Sequence, residues 1–63
     1  MNRIKEIREK TGIQQKELAE RAGISRAYLC DLEKNRRGAR PETFEKIADA
    51  LNVPVDDLVQ KVG

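Results

Sequence analysis

Histidine is absent from this 63-residue chain, and cysteine occurs once, at Cys30. A single cysteine cannot close an internal disulfide, and no Cys/His set has the spacing of a zinc site. Without histidine, the commonest general base is missing, and Cys30 has no base to activate it; the bland reading of Cys30 is a small side chain on a half-exposed helix face. Nor is there a glycine-rich phosphate loop with its lysine, or an acid pair beyond the solvated Asp56 and Asp57. No enzyme activity, metal, cofactor or small-molecule ligand is therefore expected. Aromatics make up 3% of the residues, with 4 glycines and 2 prolines, and runs of strand-favouring residues are missing. Long apolar runs are missing as well. Residues 1–10 alternate charge with single isoleucines, which suits neither a signal peptide nor a membrane span. With a free thiol and no export signal, a cytoplasmic location is the expectation.

What remains is rich in helix formers, so the composition points to an all-α domain. A chain of 63 residues supports one domain with a thin core, stabilised by helix packing with or without help from a second copy. The net charge of +2 conceals an asymmetry. Residues 1–40 carry eleven Lys/Arg against six Asp/Glu, or +5, and residues 41–63 carry two against five, or −3. A basic front and acidic rear suit a molecule that orients toward a polyanion, although such a charge excess also occurs on ordinary solvated surfaces.

Five helical segments are predicted. The first, residues 2–10, places Ile4 and Ile7 on one face and stops at Gly12. The second, 15–22, buries Leu18, Ala19 and Ala22 and ends at Gly23. The third, 26–34, has Ser25 as its N-cap and Leu29 and Leu32 inward. The fourth, 41–51, begins with Pro41 and carries the stripe Phe44, Ile47, Ala48 and Leu51. A short fifth segment covers 54–59. Apolar residues five apart recur at three helix starts, as Ile13 with Leu18, Ile24 with Leu29, and Val53 with Leu58. That is the spacing of a hydrophobic staple.

Only Gly23, Ile24 and Ser25 separate the second helix from the third. So short a connection forces a steep crossing, with small Ala19 at the closest approach, Gly23 free to take a positive φ, and Ile24 anchoring the corner. A plain αα-corner with no partner has the same spacing. Over residues 15–34, QKELAERAGISRAYLCDLEK, the chain resembles the Cro/C1-type (XRE-like) helix-turn-helix family. The matching residues are Gln15, Leu18-Ala19, Gly23-Ile24-Ser25, Tyr28-Leu29 and Leu32-Glu33. Residues 42–53, ETFEKIADALNV, and 55–58, VDDL, are similar to that family's later helices, so the resemblance covers nearly the whole chain.

The resemblance implies a five-helix, lambda-repressor-like DNA-binding domain spanning 1–63, whose third helix enters the major groove. Its function would be sequence-specific binding of double-stranded DNA as a transcriptional regulator, most naturally a repressor. Arg26 and Ala27 fall where side chains reach base edges. An arginine there can grip guanine O6 and N7 with two parallel hydrogen bonds, or else contact phosphate or solvent. Ala27 lets the helix sit deep. Asp31 occupies another base-reading position, where it can accept from cytosine N4 or instead pair with Lys34. Phosphate contacts are expected from Gln15 and Lys16 at the second helix's start, from Ser25, and from Asn35, Arg36, Arg37 and Arg40 in the following loop. Asn35 can take the left-handed conformation that ends the helix. Arg8 and Glu33 match a partly buried ion pair that orients the third helix.

Three positions depart from the family's pattern: Gln14 and Arg40 stand where small polar caps are usual, and Pro54 replaces a serine. They bear on stability more than on reading. Family dimers imply a homodimer through Val53, Val55, Leu58 and Val59, with Val62 as a further candidate, although these are also ordinary core residues. The operator would be a palindrome with half-site centres ~34 Å apart. The alternative is an antitoxin-type or protein-interaction module, which would show an uninterrupted apolar patch where a DNA binder shows a continuous positive surface.

Overall fold

Each helix begins and ends largely where local chemistry directs it. In the computed structural model, which describes residues 2–59, the order is α1 (Ile4–Thr11), α2 (Gln15–Ala22), α3 (Arg26–Glu33) and α4 (Pro41–Leu51), followed by a single 3₁₀ turn at Val55–Asp57. The Ser25 hydroxyl accepts from the Tyr28 N–H at 3.0 Å, so α3 carries a true side-chain cap. Gln14 and Arg40 make no such bond, and α4 relies on Pro41 in its first turn. Gly23 ends α2 at φ +70°, the left-handed conformation that lets α3 turn away at once. Asn52 closes α4 in the same way at φ +59°.

The expected architecture differs at both ends. α1 starts at Ile4 rather than residue 2, because Asn2 has other partners: its backbone forms an antiparallel bridge with Val59, and the next N–H, of Arg3, donates to the Leu58 carbonyl at 2.8 Å. The fifth helix is reduced to one 3₁₀ turn, closed by Leu58 N–H to the Val55 carbonyl at 2.9 Å. Six residues give an α-helix too few bonds to offset nucleation, and burial of Leu58 pulls the chain inward instead. The class is therefore all-α with four α-helices.

The core is one cluster: Ile4 and Ile7 from α1, Leu18, Ala19 and Ala22 from α2, Leu29 and Leu32 from α3, Ile47, Ala48 and Leu51 from α4, and Leu58. α2 lies at the centre, packed on both α3 and α4. The small side chains of Ala19 and Ala22 allow this double contact. Ile13, Ile24 and Val53 are half-buried against the cluster, as the staple spacing predicts; Phe44 is also half-buried rather than fully enclosed. No described helix is long and apolar enough to cross a membrane.

Candidate nucleic-acid interface

The exposed start of α3 is built from beneath by a buried ion pair. Arg8 Nε donates to Glu33 Oε2 at 2.7 Å and Arg8 Nη2 to Glu33 Oε1 at 3.2 Å. The side chains are 13% and 3% exposed, so the contact is largely dry. Arg8 Nη1 also donates to the Ile13 carbonyl at 3.1 Å, which fixes the guanidinium against the turn after α1. The geometry agrees with the expected orienting pair and joins α1 to the last turn of α3.

From Glu33 the hydrogen bonds continue outward. Gln15 Nε2 donates to Glu33 Oε1 at 3.2 Å, and Arg26 Nε donates to Gln15 Oε1 at 3.3 Å. Gln15 was expected at a phosphate; its amide instead spans the buried carboxylate and the exposed guanidinium. One amide proton of Gln15 is taken by Glu33, and its second amide proton, the backbone N–H groups of this helix start and the exposed Lys16 are the donors open to a phosphate. Arg26 and Ala27 are both exposed on the first turn of α3. Arg26 is thus presented outward while held at its Nε, which leaves its terminal nitrogens to face a ligand.

Asp31 does not pair with Lys34. Its carboxylate meets Arg37 Nε at 3.4 Å, and the Arg37 guanidinium lies 5.9 Å from the Tyr28 ring centroid. The α3–α4 loop is thereby folded back along α3, with a charge contact and a cation–π contact to two of its side chains. Asn35 adopts φ +59°, as its position suggested. Arg36, Arg37 and Arg40 are all exposed. A groove of about 680 Å³ runs between Tyr28 of α3, Arg37 and Arg40 of the loop, and Thr43 and Lys46 of α4. Lys46 is a cation that the local motifs did not single out, since it lies on α4 beyond the basic run, and Glu42 lines the same groove.

Gln15 and Arg26 thus meet at the start of α3, and Asp31, Tyr28 and Arg37 meet further along it, with Arg40 across the groove. Among the described residues, Val59 is the large hydrophobic that stays exposed, at 44%, so this surface carries no apolar patch. The candidate dimer residues are less uniform. Leu58 is fully buried in the chain's own core, which removes it as an interface residue; Val53 and Val55 are half-buried, and Val62 lies outside the described residues. Asn2, unremarked in the sequence, makes contacts to three other parts of the chain.

Known proteins resemble this chain both in sequence and in fold. A family model described as helix-turn-helix matches residues 4–58. The chain is 42% identical over 57 residues to the immunity repressor protein of Bacillus phage phi105, covering 90% of this chain and 40% of the repressor. It spans about half or less of the length of the curated relatives it matches. Among solved structures, the N-terminal DNA-binding domain of the master biofilm-regulator SinR from Bacillus subtilis superposes with TM-score 0.77 at 35% identity, covering 94% of this chain and 87% of that one. The restriction-modification controller protein C.AhdI from Aeromonas hydrophila gives 0.85 at 29% identity, with coverage of 87% and 83%.

Proposed function

This chain belongs to the Cro/C1-type helix-turn-helix family, and on that premise we propose that it binds a specific double-stranded DNA sequence as a transcriptional regulator. The observation that carries the reading is the first turn of α3, where Arg26 and Ala27 are exposed and Arg26 is tethered through Gln15 to a buried ion pair. A reader fixed at its base loses little side-chain entropy on contact, so its two terminal N–H groups can meet guanine O6 and N7. Arg36, Arg37 and Arg40, with Lys16 and Lys46, contribute the sequence-independent affinity for phosphates. Asp31 is better matched to holding Arg37 than to accepting from a cytosine, since its carboxylate is already partnered.

Repression is favoured over activation by the phage immunity repressor among the relatives. The bound form is a homodimer on a palindrome with half-site centres ~34 Å apart, working in the cytoplasm without a small-molecule ligand. Its contact surface centres on Val59, flanked by Val53 and Val55.

Selection from a pool of random duplexes tests this reading. One motif should be enriched, and Arg26→Ala should relax the preference at one base pair per half-site by ~1–3 kcal/mol. No enrichment, together with unchanged duplex affinity in the variant, would refute specific binding and leave the protein-interaction module standing.

A further inference from the structure

We infer that Asn2 is a positioning residue for the interface, tying the end of α3 and the start of the basic loop to the first turn of α1. The inference rests on the DNA-binding reading above. Asn2 Nδ2 donates to the Leu32 carbonyl at 2.8 Å and lies 3.3 Å from Asn35 Oδ1, so both amide protons point at the α3 exit. Its Oδ1 accepts the Ile4 N–H at 3.1 Å, which fixes the amide in the start of α1. The backbone of Asn2 is itself held by the bridge to Val59.

The Leu32 carbonyl belongs to the last turn of α3, where carbonyls lack intrahelical donors. Two donors reach it, Asn2 Nδ2 and the Asn35 N–H at 3.1 Å. At Asn35 the chain turns through φ +59°, and the Arg36 N–H returns to the Asp31 carbonyl at 2.9 Å. Arg8 and Gln15 reach the Glu33 side chain in the same turn, whereas the other backbone bonds at this exit are local to α3 and its loop. Among the described hydrogen bonds, Asn2 is the one residue from elsewhere in the chain that reaches the backbone of the exit, at the Leu32 carbonyl, and the Asn35 side chain. Residues 34–38 are all exposed, and the loop next touches the core at half-buried Ala39. Asn2 therefore sets the direction in which Arg36 and Arg37 leave the helix, and so where their charges meet a DNA backbone. Arg26, at the opposite end of α3, bonds Gln15 and makes no described hydrogen bond with Asn2.

The discriminating variant is Asn2→Ser. A serine hydroxyl still accepts the Ile4 N–H but is too short to reach the Leu32 carbonyl. Binding is measured on the duplex that the wild-type chain enriches, between 50 and 200 mM salt, at a temperature where both proteins are folded. Losing one loop contact should lower the slope of log K against log salt by about 1 and weaken binding at low salt by roughly three- to tenfold. Base preference at the Arg26 position should not change. A merely stabilising Asn2 would lower Tm and leave the slope alone, and an unchanged slope overturns the inference. Equal loss of slope and base preference also overturns it, because α3 would then be loosened as a whole. If the wild-type chain enriches no duplex, it is the DNA-binding reading that falls. Should Asn2→Ser fail to fold, exchange of the Asn2 side-chain amide protons in the wild type decides. They should exchange about tenfold more slowly than those of exposed Asn52, and equal rates would refute the contact.

Discussion

Glu33 accepts two hydrogen bonds from Arg8 and one from Gln15 while its side chain is 3% exposed. A carboxylate in that setting is tolerated only because its oxygens are partnered. Arg8→Ala should therefore cost about 3 kcal/mol in urea denaturation, near the lower end for breaking a buried pair because the Gln15 donor remains. Replacing both charges, Arg8→Met with Glu33→Leu, should recover most of the loss, since no buried charge is then left behind. A cost below ~1 kcal/mol for the single variant would mean that the pair behaves as a solvated one. The positions of this pair were legible through resemblance to a known family. The role of Gln15 was not, because its partners lie 11 and 18 residues away and a lone glutamine at a helix start suggests phosphate as readily. For Asp31 two readings were open, cytosine N4 or a pair with Lys34, and the Arg37 contact was in neither for a related reason. Helical spacing favours Lys34, whereas the left-handed turn at Asn35 brings Arg37 back instead.

Secondary-structure elements were most readable where a backbone requirement and a residue type coincide. Gly23 is such a place: its φ of +70° costs an L-residue torsional strain, yet a Cβ there would meet nothing within 4 Å. Gly23→Ala should thus lower stability by ~1–2 kcal/mol through backbone strain alone, and Gly23→Asn should cost less. Thermal unfolding of the two variants separates torsion from crowding, because equal losses would implicate the added atoms. Ser25 was legible for a similar reason, and its hydroxyl makes the expected bond. The outer segments were not. The start of α1 depends on Asn2 meeting Val59, and the last segment depends on Leu58 finding a cavity between distant helices. Apolar spacing cannot distinguish a full helical turn from a 3₁₀ turn in so few residues. α1 also carries an exposed pair in which Arg3 Nε donates to Glu6 at 2.6 Å, and that hydrogen bond holds the Glu6 carboxyl below the usual carboxylate range.

At the scale of the molecule, eleven of the 13 Lys/Arg residues fall in residues 1–40, while Glu42, Glu45, Asp49, Asp56 and Asp57 load the later chain with negative charge. This asymmetry was visible in the sequence, and it orients one side toward a polyanion. The proposed dimer surface was less visible, since valines near residue 59 read equally as core. Among the described residues, with Leu58 inside and Val59 at 44% exposure, the available apolar area is small. The free chain should accordingly sediment as a monomer at micromolar concentration and pair on DNA. Val59→Asp should weaken binding to a two-half-site duplex by about tenfold without changing affinity for a single half-site, in a side-by-side titration. An equal effect on both duplexes would place Val59 outside the contact between copies.

The pairing of Asn2 with Val59 has a consequence for any longer polypeptide that contains this unit. Antiparallel bridged residues lie within about 6 Å of each other, whereas the domain is 32 Å long. The chain thus leaves the domain beside the point where it entered. Inserted into a host loop, the domain would act as a side branch that adds almost nothing to the distance between its two attachment points.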